Sequence, residues 1–249
     1  MKILRLTTLL DFGGQEKQYL SFTENPELLQ NEYVFAAIGY GGHAEKILKE
    51  RGFEVHILNQ NFSIRNLSNI WMVYKLIKKV KPDVVHTAAA EANFHGIIAA
   101  KLAGVKTVIG EEIGIPNHSS IAQKVFRWVY RLADQVIGVS QSVKNHLVNI
   151  GEIPESKGKV IYNPVSIPTP FPKKDSPNFE IVYVGRLEIV KNVETLITAF
   201  AHSNNDHAHL TIVGGGRERH HLEALTSTLQ MDSKITFTGF TSEPSKYLS

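Results

Sequence analysis

The sequence predicts an α/β fold built from two doubly wound parallel sheets. Short apolar runs alternate with helical patterns from residue 2 to residue 162, which is typical of parallel βαβ units. A proline-rich segment interrupts this alternation, and the alternation then resumes. We therefore divide the chain into a first Rossmann-like domain at 1–163, a linker at 164–178 and a second domain at 179–249.

The elements of the first domain follow from apolar periodicity and from helix end signals. Pro82 and Gly104 end two helices, and Ser140 is a helix N-cap. The predicted strands are 2–9, 33–38, 53–58, 83–86, 106–109, 135–139 and 159–162. The predicted helices are 15–22, 44–52, 70–80, 93–103, 121–133 and 140–150.

The second domain is shorter, with predicted strands at 181–184, 210–213 and 234–237. Three parallel strands with two helices would leave a sheet edge exposed, which natural domains avoid. We therefore expect this domain to be incomplete, and the natural protein to continue past Ser249.

Composition is that of an ordinary globular protein, with 43% hydrophobic and 20% charged residues. The chain has no cysteine, so it has no disulfides or thiolate metal ligands. The start, MKILRLTTLL, lacks a small-residue cleavage site and predicts a strand rather than a signal peptide. A net charge of +3 is too small to indicate nucleic-acid binding. These features favour a cytoplasmic location.

The loop after the strand IVYV is the most informative segment. It carries Gly185, Arg186 and Lys191 and leads into a helix that places Val193 and Phe200 on one apolar face. In parallel α/β sheets, ligands bind at the carboxyl ends of strands, and helix amino ends favour anions. The loop therefore predicts a phosphate-bearing ligand.

The order Gly185-Arg186-Leu187, then Lys191-Asn192, then an apolar helix, resembles the donor-binding signature of retaining glycosyltransferases of the GT-B fold, specifically glycosyltransferase family 4 (glycosyl transferase group 1). The resemblance implies that Arg186 and Lys191 hold the diphosphate of a nucleotide sugar, with UDP as the nucleotide. It also implies transfer with retention to a saccharide or lipid-linked acceptor, as in polysaccharide or lipopolysaccharide biosynthesis.

Three glycine-rich loops are further donor-side candidates by the same resemblance. Each also fits an ordinary βα turn when taken alone. The resemblance implies that the loop Gly13-Gly14 faces the donor across a cleft. It also implies that Gly214-Gly215-Gly216 lies beside the nucleotide and that Gly239-Phe240 lies near the base. Two glutamates that the family carries later in its second domain are absent from this chain.

Acceptor-side candidates follow two strands of the first domain. Glu111 and Glu112 come after the strand KTVI, where carboxylates could orient a hydroxyl or act as a base, and Glu112 is the candidate catalytic residue. The family commonly has a histidine near this position, so the match is imperfect. His86 ends the strand DVVH, where a structural role is the main alternative. Glu91 and His95 are weaker candidates.

Two other chemistries are disfavoured. The segment Gly39–Ala44 fits the dinucleotide pattern G-x-G-x-x-A, but it precedes a short helix and no acidic residue follows the next strand. The chain has no D-x-D pair for a divalent cation, so we expect no metal and no cofactor. Fixed cations must then stabilise the negative charge of the leaving diphosphate. Arg186 and Lys191 suit this role, so they are catalytic candidates besides Glu112.

The segments 71–81 and 122–133 mix aromatic and basic residues. They could rest on the anionic inner face of the cell membrane, or they could be amphipathic helices that cover a sheet with their cations outside. Two alternatives to a transferase stay open: a nucleotide-sugar epimerase and a non-catalytic nucleotide-sugar-binding protein. We expect residues 1–249 alone to be inactive.

Overall fold

The computed structural model describes residues 1–164, 179–203, 205–241 and 243–248. The chain divides into two compact units, Met1–Ser166 and Ile167–Ser249. Apart from its first residue, Pro164, the predicted linker lies outside the described residues.

Unit 1 contains a seven-stranded parallel sheet with the order β3-β2-β1-β4-β5-β6-β7. The strands are β1 Lys2–Thr7, β2 Glu32–Ala37, β3 Glu54–Ile57, β4 Val84–Ala88, β5 Thr107–Glu112, β6 Gln135–Gly138 and β7 Gly158–Val160. The helices are α1 Gly14–Phe22, α2 His43–Glu50, α3 Ser68–Val80, α4 Ala90–Leu102, α5 Ser120–Leu132 and α6 Gln141–Asn149. Among these, no helix combines the length and the apolarity that crossing a membrane requires.

The helices cover both faces of this sheet, because strand side chains alternate between the faces. On β2, Phe35 packs with α1 and α2, whereas Val34 points into the core formed with α3, α4, α5 and α6. Helix α4 lies between α3 and α5 and contacts both. The sheet is therefore doubly wound, as predicted.

Unit 2 contains a three-stranded parallel sheet with the order β10-β9-β8. Its strands are β8 Phe179–Val184, β9 Ala208–Val213 and β10 Ile235–Gly239, and its helices are α7 Val193–His202 and α8 Arg219–Thr228. Val193, Ile197 and Phe200 of α7 are buried against Leu210 and Ile212 of β9. The α/β class with two parallel sheets is thus confirmed.

Most predicted boundaries differ from the structure by one or two residues, and two differ by three. Strand β5 does not end at Ile109 but continues through Glu112, because both terminal carboxylates are buried and hydrogen-bonded. Helix α4 begins at Ala90 rather than Asn93. The predicted N-cap is confirmed, since the Ser140 hydroxyl accepts a hydrogen bond from Val143 N at 3.2 Å.

Candidate functional site

Three glycine loops meet in unit 2, where β8, β9 and β10 end. They contain Gly185, Gly214-Gly215-Gly216 and Gly239, respectively. Leu187 N donates to Gly215 O at 2.9 Å, and Gly214 N donates to Gly239 O at 2.9 Å. Because neighbouring parallel strands end at the same edge of a sheet, the loops that the sequence singled out are adjacent here.

The loop after β8 and the loop after β9 pack backbone against backbone. Gly214 has a φ of +145°, and a Cβ atom there would lie 1.9 Å from Gly185 O. A Cβ atom on Gly216 would lie 2.2 Å from Leu187 O. Glycine is therefore required at these two positions for the loops to approach, whatever they bind.

A cavity of about 190 Å³ opens between these loops. Its lining includes Gly185, Arg186, Gly214, Gly215 and Phe240. This volume is below the roughly 300 Å³ of a typical small-molecule pocket, so it suits one part of a nucleotide rather than the whole molecule.

Two cations flank this region. Arg186 and Lys191 are exposed, and neither forms an ion pair within the part of the chain that the structure describes. Lys191 is outside the cavity lining and ends a short 3₁₀ turn, Ile189–Lys191, before α7. The N-cap of α7, Asn192, makes no side-chain capping bond, so this helix end offers N–H groups to an anion.

In unit 1, Gly13 is the N-cap of α1 and Gly14 is its first residue. A Cβ atom on Gly14 would meet nothing within 4 Å. Packing therefore does not require glycine at Gly14, whereas a Cβ atom on Gly13 would lie 2.2 Å from Glu16 Oε2, so a carboxylate of the chain lies over this part of the loop.

Glu111 and His86 form a buried cluster with Arg5, which the sequence analysis missed. Arg5 Nη2 lies 3.1 Å from Glu111 Oε2, and His86 Nε2 lies 2.9 Å from the same oxygen. Arg5 also contacts His86 Nδ1, so His86 is the neutral tautomer with its proton on Nε2. Burial, reinforced by the Arg5 charge, lowers the pKa of His86 to about 4.

Glu111 stays ionised in this cluster. Burial favours its protonated form, but hydrogen bonding to His86 and the charge of Arg5 outweigh this and lower its pKa to about 2. Its side chain is 1% exposed. The Glu111 carboxylate is therefore closed to an acceptor hydroxyl, whereas 12% of the His86 side chain is exposed.

Glu112 lies on the opposite face of β5, away from Glu111. It accepts hydrogen bonds from Tyr130 Oη and from Asn93 Nδ2, the latter at 3.2 Å. Burial raises its pKa to about 7. The candidate catalytic carboxylate is therefore beneath the surface, and the structure does not bring it together with His86.

A second ion pair lies in the same region. His118 Nδ1 is 2.7 Å from Glu152 Oε1, and the His118 ring stacks on Phe126 at 4.3 Å. Hydrogen bonding to Glu152 raises the pKa of His118. The pair fixes the segment between β5 and α5 against the core, and no sequence pattern indicated it.

The G-x-G-x-x-A segment has a different explanation in the structure. It begins α2, and the Asp11 carboxylate accepts a hydrogen bond from His43 N at 3.0 Å. A Cβ atom on Gly42 would lie 2.0 Å from Asp11 Oδ1. The amino end of α2 therefore already holds a carboxylate of the chain, which would repel a dinucleotide diphosphate.

Comparison with known proteins gives two family matches. The model described as Glycosyltransferase Family 4 matches residues 12–167, and the model described as Glycosyl transferases group 1 matches residues 169–249.

Two curated relatives extend this finding. An uncharacterized glycosyltransferase of Methanocaldococcus jannaschii is 36% identical over 121 residues, which are 43% of this chain and 31% of the relative. The N-acetylgalactosamine-N,N'-diacetylbacillosaminyl-diphospho-undecaprenol 4-alpha-N-acetylgalactosaminyltransferase of Campylobacter jejuni is 30% identical over 190 residues, 70% of this chain and 51% of the relative. The chain thus spans about half or less of the length of these relatives.

Among solved structures, HepE of Anabaena in complex with UDP is similar over 98% of this chain and 70% of HepE, with a TM-score of 0.77 and 22% sequence identity. At this identity the similarity shows a shared GT-B fold.

Proposed function

The chain belongs to glycosyltransferase family 4, and we propose that it transfers a sugar from a UDP-linked donor to a saccharide or lipid-linked acceptor. The observation that carries this proposal is the closure of three glycine loops around one cavity that Arg186 lines. The donor base and phosphates would lie against these loops, with Lys191 at the edge of the site. UDP is proposed because HepE, which shares the fold, was solved with UDP.

The proposed reaction retains the anomeric configuration and uses no metal ion. The acceptor oxygen forms a bond to the anomeric carbon on the face that the diphosphate leaves. The bond between that carbon and the phosphate oxygen breaks, and the electron pair stays on the phosphate. The acceptor proton passes to the departing phosphate, and Arg186 and Lys191 stabilise its negative charge. The chain has no D-x-D pair to hold a divalent cation in this role.

Lipid-linked acceptors are proposed because the Campylobacter relative is named for a diphospho-undecaprenol substrate. A place in polysaccharide or lipopolysaccharide biosynthesis would follow. Because Glu112 is buried and His86 is largely covered, we propose that they act on the acceptor side indirectly, through the loops at the carboxyl ends of β4 and β5.

Product analysis tests the transfer. The full natural protein, including any residues after Ser249, is incubated with UDP-hexoses and with a lipid-linked saccharide, and the products are identified by mass spectrometry and NMR. A glycosylated acceptor with the donor's anomeric configuration supports the proposal. An epimerised free nucleotide sugar supports the epimerase alternative instead. Calorimetric UDP binding without any product supports a binding protein, and absence of UDP binding overturns the donor site.

We also propose that this protein is cytoplasmic and that it contacts the anionic inner face of the cell membrane through α3 and α5, which flank α4 on one face of unit 1. Both helices cover the sheet, with Val73 and Phe126 in the core. Their tryptophans nevertheless point outward: Trp71 is 57% exposed and Trp128 is 51% exposed. An amphipathic helix that only covers a sheet does not need an exposed tryptophan.

Basic residues surround both tryptophans. Neither α3 nor α5 contains an acidic residue, so this surface complements an anionic lipid layer. We call it the α3–α5 face, and its exposed members are Trp71, Lys75, Lys78, Ile121, Lys124, Arg127, Trp128 and Arg131.

A further inference from the structure

A cavity of about 450 Å³ opens in unit 1 between the carboxyl-terminal half of α5 and the segment that follows α6. We call it the α5–α6 cavity, and its lining includes Arg127, Arg131, Glu152 and Lys157. Its volume lies within the roughly 300–1,000 Å³ that is usual for small-molecule pockets. Three of these four residues are cationic, so the α5–α6 cavity suits an anion.

Arg127 is held in place at this cavity. Its Nε atom donates to Gly151 O at 2.6 Å, and a Cβ atom on Gly151 would lie 2.9 Å from Arg127 Nη2. The guanidinium therefore packs against bare glycine backbone just after α6. Within the described residues, its Nη1 and Nη2 groups donate no hydrogen bond. One N–H group thus fixes the side chain, and the other donors stay free for a ligand.

Lys157 neutralises the negative end of α5 beside the cavity. The last carbonyl groups of a helix carry partial negative charge, which repels anions. The Lys157 ammonium group donates to three of them, at 3.1, 3.0 and 2.7 Å, namely those of Tyr130, Arg131 and Ala133. Because an ammonium group has only three N–H donors, Lys157 supplies charge, whereas direct contacts with an anion are left to the arginines.

The acidic residues close in sequence to the lining already have partners. Asp134 lies 3.1 Å from Lys101, Glu152 lies 2.7 Å from His118, and Glu155 contacts Lys144. The Glu152 side chain is 0% exposed, so its carboxylate lies behind the cavity wall. Arg127 and Arg131, by contrast, form no ion pair within the part of the chain that the structure describes.

Arg127 and Arg131 are four residues apart on α5, so they are neighbours on one side of the helix. Like charges at this spacing repel each other, and a shared anion would remove the repulsion. A phosphate group suits this pair, because it has enough oxygens for two guanidinium groups that each donate two parallel hydrogen bonds.

Both arginines also belong to the α3–α5 face. Trp128 lies between them in the sequence and is 51% exposed, so the α5–α6 cavity adjoins this face. A layer of lipid headgroups on the α3–α5 face would therefore bring phosphate groups to the cavity.

We propose that the α5–α6 cavity binds the phosphate group of an anionic lipid headgroup through Arg127 and Arg131. The lipid part rests on the membrane contact proposed above, whereas the anion site rests on unit 1 alone. The two predict different behaviour. Charge attraction by the α3–α5 face does not depend on the chemistry of the headgroup, whereas two arginine side chains at one cavity select phosphate.

Inorganic phosphate tests the anion site without a membrane. Titration should shift the NMR signals of the Gly151 and Ile153 amides, which report this cavity and not unit 2. Arg127→Lys with Arg131→Lys keeps both charges but removes the planar donors, so it should weaken phosphate binding by about tenfold. Both positions are exposed and lysine is a good helix former, so the variant should fold. Arg65→Lys, at an exposed position outside the cavity, is the matched control and should bind phosphate normally.

Vesicles test the lipid part. Phosphatidylcholine vesicles carry either phosphatidic acid or oleic acid, at matched surface charge. The unsubstituted protein should bind the phosphatidic acid vesicles about tenfold more tightly, and the double lysine variant should bind both kinds equally. Amide shifts without this preference would indicate a soluble phosphate ligand and overturn the lipid part.

Absence of amide shifts at Gly151 and Ile153, or shifts that the double lysine variant retains at full affinity, would overturn the anion site. If the protein binds neither kind of vesicle, the proposed membrane contact fails and the headgroup assignment fails with it. The titration with inorganic phosphate still decides the anion site in that case, so the two failures are distinguishable.

Discussion

The carbonyl oxygen of Gly185 occupies the space that a side chain on Gly214 would need, because the Cβ atom would lie only 1.9 Å from it. Gly214 also has a φ of +145°, a conformation that residues with a side chain rarely adopt. The loops after β8 and β9 therefore pack as bare backbone, and the cavity at their junction depends on this contact.

Replacing Gly214 by alanine should damage unit 2 locally. The strained backbone and the clash should lower the free energy of unfolding by about 1–3 kcal/mol, and UDP binding should be lost. Urea denaturation and calorimetry measure the two effects. Gly215→Ala is the matched comparison, since its Cβ atom would lie 3.8 Å from Phe240, an ordinary contact. Equal destabilisation by both substitutions would contradict the packing described.

Arg186 and Lys191 should bind the phosphates of UDP and not its base. Arg186→Ala or Lys191→Ala should each weaken UDP binding by about 10- to 100-fold, because a hydrogen bond to a charged group is worth roughly 1.5–3 kcal/mol. Binding of uridine, which carries no phosphate, should not change. Arg65→Ala, an exposed substitution in unit 1, is the control. Parallel losses for UDP and uridine would exclude the assigned role.

The buried Glu112 should make stability depend on pH. Burial raises its pKa from the ordinary 4.5 to about 7 in the folded protein, so the folded state binds this proton more tightly than the unfolded state. The stabilisation is complete below about pH 4.5 and is lost as the pH rises through about 7, a change of about 3 kcal/mol.

Glu112→Gln should remove this dependence, since the amide resembles the protonated acid and still accepts from Tyr130. The variant should gain stability relative to the unsubstituted protein as the pH rises from about 5 to about 8, as measured by urea denaturation. The Glu112 charge also raises the pKa of His118, so the difference between the two proteins reports Glu112 together with this coupling. A constant difference across this range would refute the burial effect.

The α3–α5 face should bind anionic vesicles. Protein should sediment with phosphatidylglycerol vesicles and much less with phosphatidylcholine vesicles, and binding should weaken with added salt. Lys75→Gln with Lys78→Gln should reduce binding at low salt, at about 1 kcal/mol per cation. Trp71→Gln with Trp128→Gln should reduce it at every salt concentration.

Lys46→Gln with Lys49→Gln provides the matched control for vesicle binding. Both lysines are exposed on α2, which covers the opposite face of the sheet. An equal loss of binding in this variant would mean that net charge, and not the α3–α5 face, is responsible. Binding to an acidic protein but not to vesicles would reject the membrane as partner.

The glycine loops of unit 2 could be located from the sequence because their positions follow from a general rule. Once IVYV and LTIV are recognised as parallel strands, their following glycines must meet at one edge. The periodic spacing of Val193, Ile197 and Phe200 likewise predicted the buried face of α7, which the structure confirms. Both inferences need only local patterns.

The Arg5–Glu111 pair could not be found in this way. The two residues are 106 positions apart, and their contact depends on the register of three strands. The available signal was an arginine between Leu4 and Leu6 in an apolar strand. If β5 ended at Ile109, Glu111 and Glu112 would form one carboxylate pair in the following loop. The strand instead continues through both residues, and strand alternation sends them to opposite faces.

This alternation also helps to fix the register of β5 in the sheet. The strand ends in two consecutive glutamates, one held as an anion beside Arg5 and the other favouring its proton beside Tyr130. A shift of β5 by one residue would exchange the two faces. A shift in one direction would put Glu111 in the place of Gly110, where a side chain would press against Ile97 and Tyr130. A shift in the other direction would put Gly110 beside Arg5 and would leave the guanidinium without its counterion. Both mispaired registers are thus penalised, so Gly110 and Glu111 together select the correct pairing of the central strands during folding.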